Sequence, residues 1–210
     1  MEPERQDFLA AVRRAREYDD DYMMGGYYRD GQWSGVDLAG LELKETHFIH
    51  CRFDRCNWRR ASFYGCTFER CEFSGCHFGE SYWRDTTVTE CKGEGCTFRG
   101  ARVKECRWSD DLLRYTNWNE SVWERSGLER CDLRQSALCA VRWKELRLDG
   151  VDLSECELVR TALKGMDLTN CTLDGITLSE GCSELKGAKI SPHQAAVVAR
   201  ILGIQVEGLE

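Results

Sequence analysis

Three histidines lie close to cysteines in the first half of the chain, a combination that could bind zinc. His47 and His50 precede Cys51, and His77 follows Cys76. Zinc prefers imidazole nitrogens and thiolates in a tetrahedron, and its strongest sequence signal is a pair of cysteines separated by two residues. Neighbouring cysteines in this chain are five residues apart instead. Zinc binding therefore depends on whether the backbone makes these side chains converge.

Most cysteines follow a five-residue repeat. Only Cys139 and Cys182 lie outside its phase. The eleven cysteines in phase are Cys51, Cys56, Cys66, Cys71, Cys76, Cys91, Cys96, Cys106, Cys131, Cys156 and Cys171. Two residues after ten of them is a large apolar residue, at what we call the centre position; after Cys91 this position holds Gly93. Centre positions recur without a slip from Trp33 to Leu178 and include all seven tryptophans.

A five-residue period excludes both a continuous helix and a continuous strand, which repeat at 3.6 and 2 residues. It indicates a backbone that turns a corner after every unit. Four corners complete a square coil, so residues 20 apart stack at about 4.8 Å, the spacing of paired strands. The centre residue and the small residue two before it then point inward, and the other three face water. Histidines and cysteines therefore diverge, and we expect no metal site and no cofactor.

The motifs of catalysis are also missing from the sequence. There is no glycine-rich phosphate loop, nucleophile elbow or HExxH segment. Charged side chains on the outside of a coil are usually solvated, and burial raises the pKa of a thiol and makes it inert. We expect no enzyme activity.

Overall charge limits the possible partners. The chain has 36 acidic and 29 basic residues, giving a net charge of -7. This balance disfavours direct binding to nucleic acid or to an anionic membrane. No apolar run reaches the roughly 18 residues of a spanning helix, and the first residues lack the pattern of a signal peptide. We expect a cytoplasmic protein.

The segments "VDLSE", "CDLRQ", "MDLTN" and "VDLAG" resemble the pentapeptide-repeat family. The resemblance extends over roughly 150 of the 210 residues. It implies an all-β solenoid, the right-handed quadrilateral β-helix of pentapeptide repeats, here over residues 31–190.

The C-terminal segment, residues 191–210, changes character. The period slips before it, moving the next apolar centres to Leu185 and Ile190. Ser191 suits an N-cap, Pro192 the first helical position and Gly203 the residue after the end, which predicts a helix over 192–202. Ala195, Val198, Ile201 and Leu202 form its apolar stripe, which Val197 widens, and Ile204 and Val206 alternate like a short strand.

This tail resembles the C-terminal helix and strand of the Qnr, MfpA and AlbG proteins, which implies a helix-strand dimerisation element and a homodimer. A simple cap over the end of the coil is the alternative. The predicted dimer interface consists of Val197, Val198, Ile201, Leu202, Ile204 and Val206.

Residues 1–30 are predicted to form an N-terminal cap. Residues 4–17 pattern as a helix with Phe8, Leu9, Val12 and Ala15 on one side. This helix would cover the other open end of the coil, with the following tyrosines and methionines packed against it. A partner-binding arm is the alternative.

Two positions break the repeat. Gly93 lies where a large centre residue is expected, and Asp111 lies at a small inward position. An inward carboxylate is costly, so the backbone there either tolerates a defect or leaves the coil as a loop that contacts a partner. The candidate loop residues are Ser109, Asp110, Asp111 and Tyr115.

The resemblance also implies a function. Members of this subgroup bind DNA gyrase and topoisomerase IV as DNA-mimicking rods. They protect these enzymes from quinolones or natural poisons, as antibiotic resistance or self-immunity. The candidate target-binding residues are Asp152, Glu155, Glu157, Asp167, Asp174 and Glu180. DNA carries one charge per about 1.7 Å, so a net charge of -7 makes the chain a weak electrostatic mimic. These acids could instead serve solubility, and a structural or adaptor protein with another partner is the alternative function.

Overall fold

The structure, a computed structural model, describes residues 7–18 and 20–207. From Tyr22 onward the chain winds into a solenoid whose coils are 20 residues long. Residues one coil apart pair in parallel, as Leu43 does with Phe63 and Trp83 with Val103. The predicted stacking and the quadrilateral β-solenoid are confirmed.

Each coil contributes one short extended segment to each of four faces, numbered in chain order. Face 1 contains β1 (Tyr22–Met24), β4 (Glu42–Lys44), β7 (Ser62–Tyr64), β10 (Tyr82–Arg84), β12 (Arg102–Lys104), β14 (Val122–Glu124) and β16 (Arg142–Lys144). Face 2 contains β2 (Tyr27–Arg29), β5 (His47–Ile49), β8 (Thr67–Glu69), β11 (Thr87–Thr89), β13 (Arg107–Ser109), β15 (Gly127–Glu129) and β17 (Arg147–Asp149). Face 3 begins with β3 (Gln32–Ser34), β6 (Arg52–Asp54) and β9 (Glu72–Ser74), and single bridges extend it to Thr172. Face 4 is joined by single bridges from Asp37 to Thr177.

Corners between the faces have left-handed backbone. At the corners φ is positive, for example 50° at Glu45, 52° at Arg130 and 68° at Gly100. A side chain in this region costs about 1–2 kcal/mol. Backbone hydrogen bonds to the next coil compensate, as when Glu45 N donates to Tyr64 O at 2.8 Å.

The interior is filled by the centre residues and the small residues beside them. Aromatic rings from successive coils stack, with Phe78 and Phe98 4.8 Å apart and Phe98 and Trp118 3.9 Å apart. All eleven cysteines in phase are buried and unpaired, which confirms their inward assignment. The Cys66 thiol, for instance, donates to Leu43 O at 3.4 Å.

Helix α1 (Phe8–Tyr18) covers the N-terminal end of the coil. Phe8, Val12 and Ala15 are buried, and the Phe8 ring lies 4.7 Å from that of Trp33. The predicted N-terminal helix is confirmed over this range, while residues 4–6 of the predicted helix lie outside the described residues. The predicted boundary between the N-terminal cap and the coil, at residue 30, was wrong. The coil already begins at β1, where Met23 is a buried centre residue.

The C-terminal end has two extra residues in its last coil. Asp167 bridges to Lys189, 22 residues away instead of 20, which confirms the predicted slip. The insertion forms a short 3₁₀ helix, Ser183–Leu185, whose Glu184 is buried. Its carboxylate accepts hydrogen bonds from Arg160 N and from Ser179. Burial opposes ionisation of Glu184, but these hydrogen bonds outweigh burial and hold its pKa below the usual value.

Helix α2 (Pro192–Ile201) follows, with a capping box between Ser191 and Gln194. Gln194 is buried, and its Nε2 donates to Leu168 O and Cys171 O at 2.7 and 2.6 Å. Of the predicted apolar stripe only Val197 is buried, together with Ala196; Val198 is half-buried, and Ala195, Ile201 and Leu202 are exposed. Residues 204–207 form no strand, which corrects that prediction.

The stack opens on two faces between the coil of residues 142–150 and the coil of residues 162–170. In earlier coils the equivalent residues bond across each layer, as when Arg125 N donates to Lys144 O at 2.9 Å. In this part of the described chain, the backbone N–H groups of Trp143, Glu145, Leu148 and Gly150 have no such bond. Faces 3 and 4 stay joined there, through bonds from Leu153 N to Thr172 O (2.9 Å) and from Leu158 N to Thr177 O (2.8 Å).

Two large side chains explain this opening. Leu146 and Met166 occupy inward positions that are small elsewhere in their column, where Cys106 and Ser126 precede them at 20-residue intervals. Forcing extra volume into a packed interior displaces the backbone. The coils therefore separate at the corner between faces 1 and 2.

Candidate interaction surfaces

The histidines and cysteines do not converge. His47, His50 and His77 are exposed, whereas Cys51 and Cys76 are buried. Within the described residues, no group of three or more His, Cys, Asp or Glu side chains is arranged to hold a metal ion. Burial raises the pKa of the Cys66 thiol to about 11, so it is a poor nucleophile near neutral pH.

Five of the six candidate target-binding acids lie on one side of the solenoid. Asp152 and Asp174 are on face 3, Glu157 is on face 4, and Glu155 and Glu180 lie at corners of these faces. Asp167 is on face 2, and its ion pair with Lys189 (2.6 Å) holds its pKa at about 2. The structure thus brings together five of the six acids and separates Asp167 from them.

Face 1 has the opposite charge. Its outward positions include two carboxylates, Glu42 and Glu124, and seven cations. The cations are Lys44, Arg84, Arg102, Lys104, Arg142, Lys144 and Lys164. Face 3, on the opposite side of the square, carries six carboxylates and four cations at its outward positions. Sequence reasoning missed this polarity, which appears only when residues 20 apart are read together.

The candidate loop does not exist. Ser109 ends β13, Asp110 and Tyr115 are corner residues with positive φ, and the coil continues through Leu112. Asp111 is fully buried; its Oδ1 accepts from Cys91 N at 2.7 Å, and the Cys131 thiol donates to its Oδ2 at 3.9 Å. These partners allow the regular backbone to retain an inward carboxylate. Burial raises the pKa of Asp111 to about 8.

At Gly93 the neighbouring coil replaces the missing side chain. A Cβ at this position would lie only 2.9 Å from Leu113 Cδ2. Leu113 therefore fills the space that a large centre residue would occupy, and the coil shows no break at residue 93.

Apolar side chains remain uncovered at the C-terminal end. Ile201, Leu202 and Ile204 are 37%, 50% and 54% exposed, and Val198 and Val206 are half-buried. Val197 is buried and is not available at the surface. The predicted dimer interface therefore divides into one buried side chain and five that are accessible. None of the helices in the described part of the chain is long and apolar enough to span a bilayer.

Two family models match the chain. One, described as a pentapeptide repeat region, matches residues 61–138. The other, described as pentapeptide repeats in eight copies, matches residues 42–79 and 147–180. Together they cover more than half of the sequence. The chain belongs to the pentapeptide-repeat family. No curated protein matches this pentapeptide-repeat chain.

Solved structures of this family extend the comparison. A trypsin-treated form of QnrB1, a plasmid-mediated fluoroquinolone resistance protein, is 26% identical with a TM-score of 0.54, and the match covers 87% of this chain and 91% of that chain. A second trypsin-treated form is 25% identical with a TM-score of 0.47, covering 88% and 97%. Full-length QnrB1 is 23% identical with a TM-score of 0.47, covering 87% and 97%.

Proposed function

We propose that this pentapeptide-repeat protein binds a bacterial type II topoisomerase, DNA gyrase or topoisomerase IV, and protects it from topoisomerase poisons. The observation that carries the proposal is the similarity to QnrB1 over most of both chains, at 26% identity. QnrB1 is described as a fluoroquinolone resistance protein, so the same activity is the first to test here.

The charge distribution supports binding through one side of the rod. Faces 3 and 4 carry Asp152, Glu157 and Asp174 close to the C-terminal end, whereas face 1 is basic. A basic DNA-binding groove attracts the acidic side and repels the basic side. The protein would therefore act as a one-sided mimic of DNA.

Two-fold symmetry follows from pairing of the tails. Exposed Ile201, Leu202 and Ile204 would be covered by the same residues of a second copy in an isologous contact. Such a dimer would place the acidic residues of both copies near its centre. A topoisomerase with two-fold symmetry would meet this central zone.

The test is a gyrase supercoiling and cleavage-complex assay with a quinolone, titrated with the purified protein and repeated with topoisomerase IV. We expect restored supercoiling and fewer cleavage complexes, and binding that weakens steeply with salt. Reversing Asp152 and Asp174 to lysine should weaken protection by about tenfold or more. The control, Arg102→Glu with Lys104→Glu on face 1, should leave protection intact. Failure to protect either enzyme from several poisons would overturn the proposal, and binding that is independent of salt would overturn the mimicry.

Basic face 1 favours a second candidate function, an adaptor that binds another protein. Arg102, Lys104 and Lys144 have no carboxylate within 4 Å among the described residues. A monomer in solution that leaves topoisomerases unaffected would support this function. A pull-down with wild-type protein and the face 1 reversal would then identify partners that need these cations.

A further inference from the structure

The opening between the coils of residues 142–150 and 162–170 exposes two strand edges. Four backbone N–H groups, those of Trp143, Glu145, Leu148 and Gly150, point along the stack without the inter-coil bond that earlier coils make. On the facing coil, the carbonyls of Lys164, Asp167 and Thr169 lack the corresponding donors. Unpaired edges of this kind are templates for adding a further strand.

A cavity of about 410 Å³ occupies the face 2 side of this opening. Leu146, Leu148 and Met166 form its apolar lining, and Arg147 and Asp149 lie at its rim. A groove of about 890 Å³ adjoins it and shares Leu146, Arg147 and Asp149, but carboxylates outnumber cations in its lining, so an acidic occupant is confined to the smaller cavity. Volumes in this range accommodate several side chains of a bound peptide.

The charge around the opening favours an acidic occupant. Arg142, Lys144, Arg147 and Lys164 have no carboxylate within 4 Å among the described residues. Three carboxylates lie near the opening: Asp167 pairs with Lys189, Asp149 Oδ1 accepts from Asn170 Nδ2 at 3.1 Å, and Glu145 has no ion pair among the described residues, so the four cations outnumber the unpaired carboxylates. Unpaired cations on both sides of a free strand edge would attract carboxylates that alternate along a strand.

We propose that this opening binds an extended acidic peptide by strand addition, independently of any topoisomerase. Alternate apolar side chains of the peptide contact Leu146, Leu148 and Met166 along face 2, an outward carboxylate meets Arg147, and the end of the peptide at the corner meets Lys144 and Lys164. The backbone of the peptide pairs with the free N–H and C=O groups of face 2, because an extended strand does not follow the corner at Glu145 onto face 1. A nucleic acid could meet the cations but has no peptide groups with which to satisfy the strand edges.

Two side-chain contacts close the opening when no peptide is bound. Trp143 Nε1 donates to Ala162 O at 2.6 Å, and Asn170 contacts Asp149. Both contacts involve exposed or half-buried side chains, while the hydrogen bond from Val141 N to Thr161 Oγ1, at 3.0 Å, keeps the two coils joined at the start of face 1. On face 2, strand addition would replace the contact between Asn170 and Asp149 with backbone hydrogen bonds.

The test uses a fluorescein-labelled peptide of about ten residues that alternates valine and glutamate, the length of a long strand. We expect saturable binding by anisotropy and, in hydrogen exchange, slower exchange of the amides of Leu148 and Gly150 on face 2, with those of Trp143 and Glu145 on face 1 unchanged. A peptide of the same sequence N-methylated on one edge should bind at least about tenfold more weakly. Equal binding of the N-methylated peptide or of duplex DNA would overturn strand addition and leave only attraction of anions.

Variants of the protein locate the site. The double variant Leu146→Ser with Met166→Thr restores residue types found lower in the same column, and it should close the opening, protect the four amides and abolish peptide binding. Lys144→Glu should weaken binding by about tenfold or more, while Lys44→Glu, on the same face but far from the opening, should not. Unchanged binding to both the double variant and Lys144→Glu would overturn the proposal.

Discussion

The residue two positions before each centre residue decides whether the indole N–H of a buried tryptophan has a hydrogen-bond partner. Where that position holds a hydroxyl, the indole N–H donates to it, as Trp83 does to Ser81 at 2.8 Å and Trp118 to Thr116 at 2.9 Å. Trp58 and Trp108 follow cysteines instead, and their buried indole nitrogens have no hydrogen-bond partner among the described residues. Leaving a buried donor unpaired costs about 1–3 kcal/mol.

Replacing the cysteine before such a tryptophan should therefore stabilise the protein. We expect Cys106→Ser to provide an acceptor for Trp108 Nε1 and to raise the free energy of unfolding by about 1 kcal/mol. Urea denaturation followed by circular dichroism measures the change. The matched control is Cys66→Ser in the same column, where the centre residue is Phe68 and has no N–H group. This control should be destabilised, and a stabilised Cys66→Ser would contradict the explanation.

Asp111 should make stability depend on pH. Its pKa is about 8 in the folded protein, above the ordinary value of 3.8, so the folded state retains a proton that the unfolded state loses. The contribution of protonated Asp111 to the free energy of unfolding is therefore fully present below about pH 4. It is lost as the pH rises toward 8, at about 1.4 kcal/mol per pH unit.

Asp111→Ser should remove this pH dependence. A serine can still accept from Cys91 N, as Ser126 does from Cys106 N at 3.1 Å. We expect the variant to be more stable than wild type at pH 8 and to lose the slope between pH 4 and 8 in urea titrations. Asp110→Ser, which removes the adjacent exposed carboxylate, is the control and should retain the slope. A wild-type protein with no slope would show that Asp111 is ionised in the folded state.

At this scale the sequence predicted the direction of side chains but not their partners. The five-residue phase assigned Cys51, Cys66 and Cys76 to the interior, and all are buried. Of the two alternatives at Asp111, the tolerated defect holds and the loop does not form, because Cys91 N and the Cys131 thiol donate to the buried carboxylate. Those donors belong to coils 20 residues away, so no local window of sequence contains them.

The two end elements show a similar limit. Local signals defined α2, whose capping box at Ser191 and start at Pro192 agree with the sequence. Which side of α2 is buried depends on how the helix lies across the last coil, and that is fixed by the Gln194 side chain bonding to Leu168 O and Cys171 O. Periodicity within ten residues cannot reveal such a contact.

The tail offers a test that separates capping from pairing. Leu202→Asp with Ile204→Asp should disrupt the proposed dimer without lowering the stability of the coil, because both side chains are exposed. Gln194→Ala should instead lower stability by about 2 kcal/mol, since two buried carbonyls lose their donor. Analytical ultracentrifugation and thermal unfolding measure the two effects. A wild-type monomer at micromolar concentration would exclude pairing through this surface.

Over the whole molecule, the net charge of -7 conceals a polarity across the rod. Lys44, Lys104 and Lys144 are far apart in sequence yet lie on face 1, while Asp132 and Asp152 lie opposite on face 3. The net charge indicated a weak mimic of DNA because it averages the charges of basic face 1 and acidic face 3. The fold was predictable from one period, whereas the charged surfaces required the coil length of 20 residues to be applied to every outward position.

The opening beside Leu146 has a consequence for cooperativity. In a solenoid each coil interacts only with its neighbours, so the weakest interface sets where unfolding divides. Two of the four faces have lost their backbone bonds at this interface. We therefore expect the last coils and α2 to unfold as a separate block, before the block that contains the aromatic interior. Native-state hydrogen exchange in low urea should show two plateaus of opening free energy, one on each side of residues 150–161, and a single plateau would contradict this division.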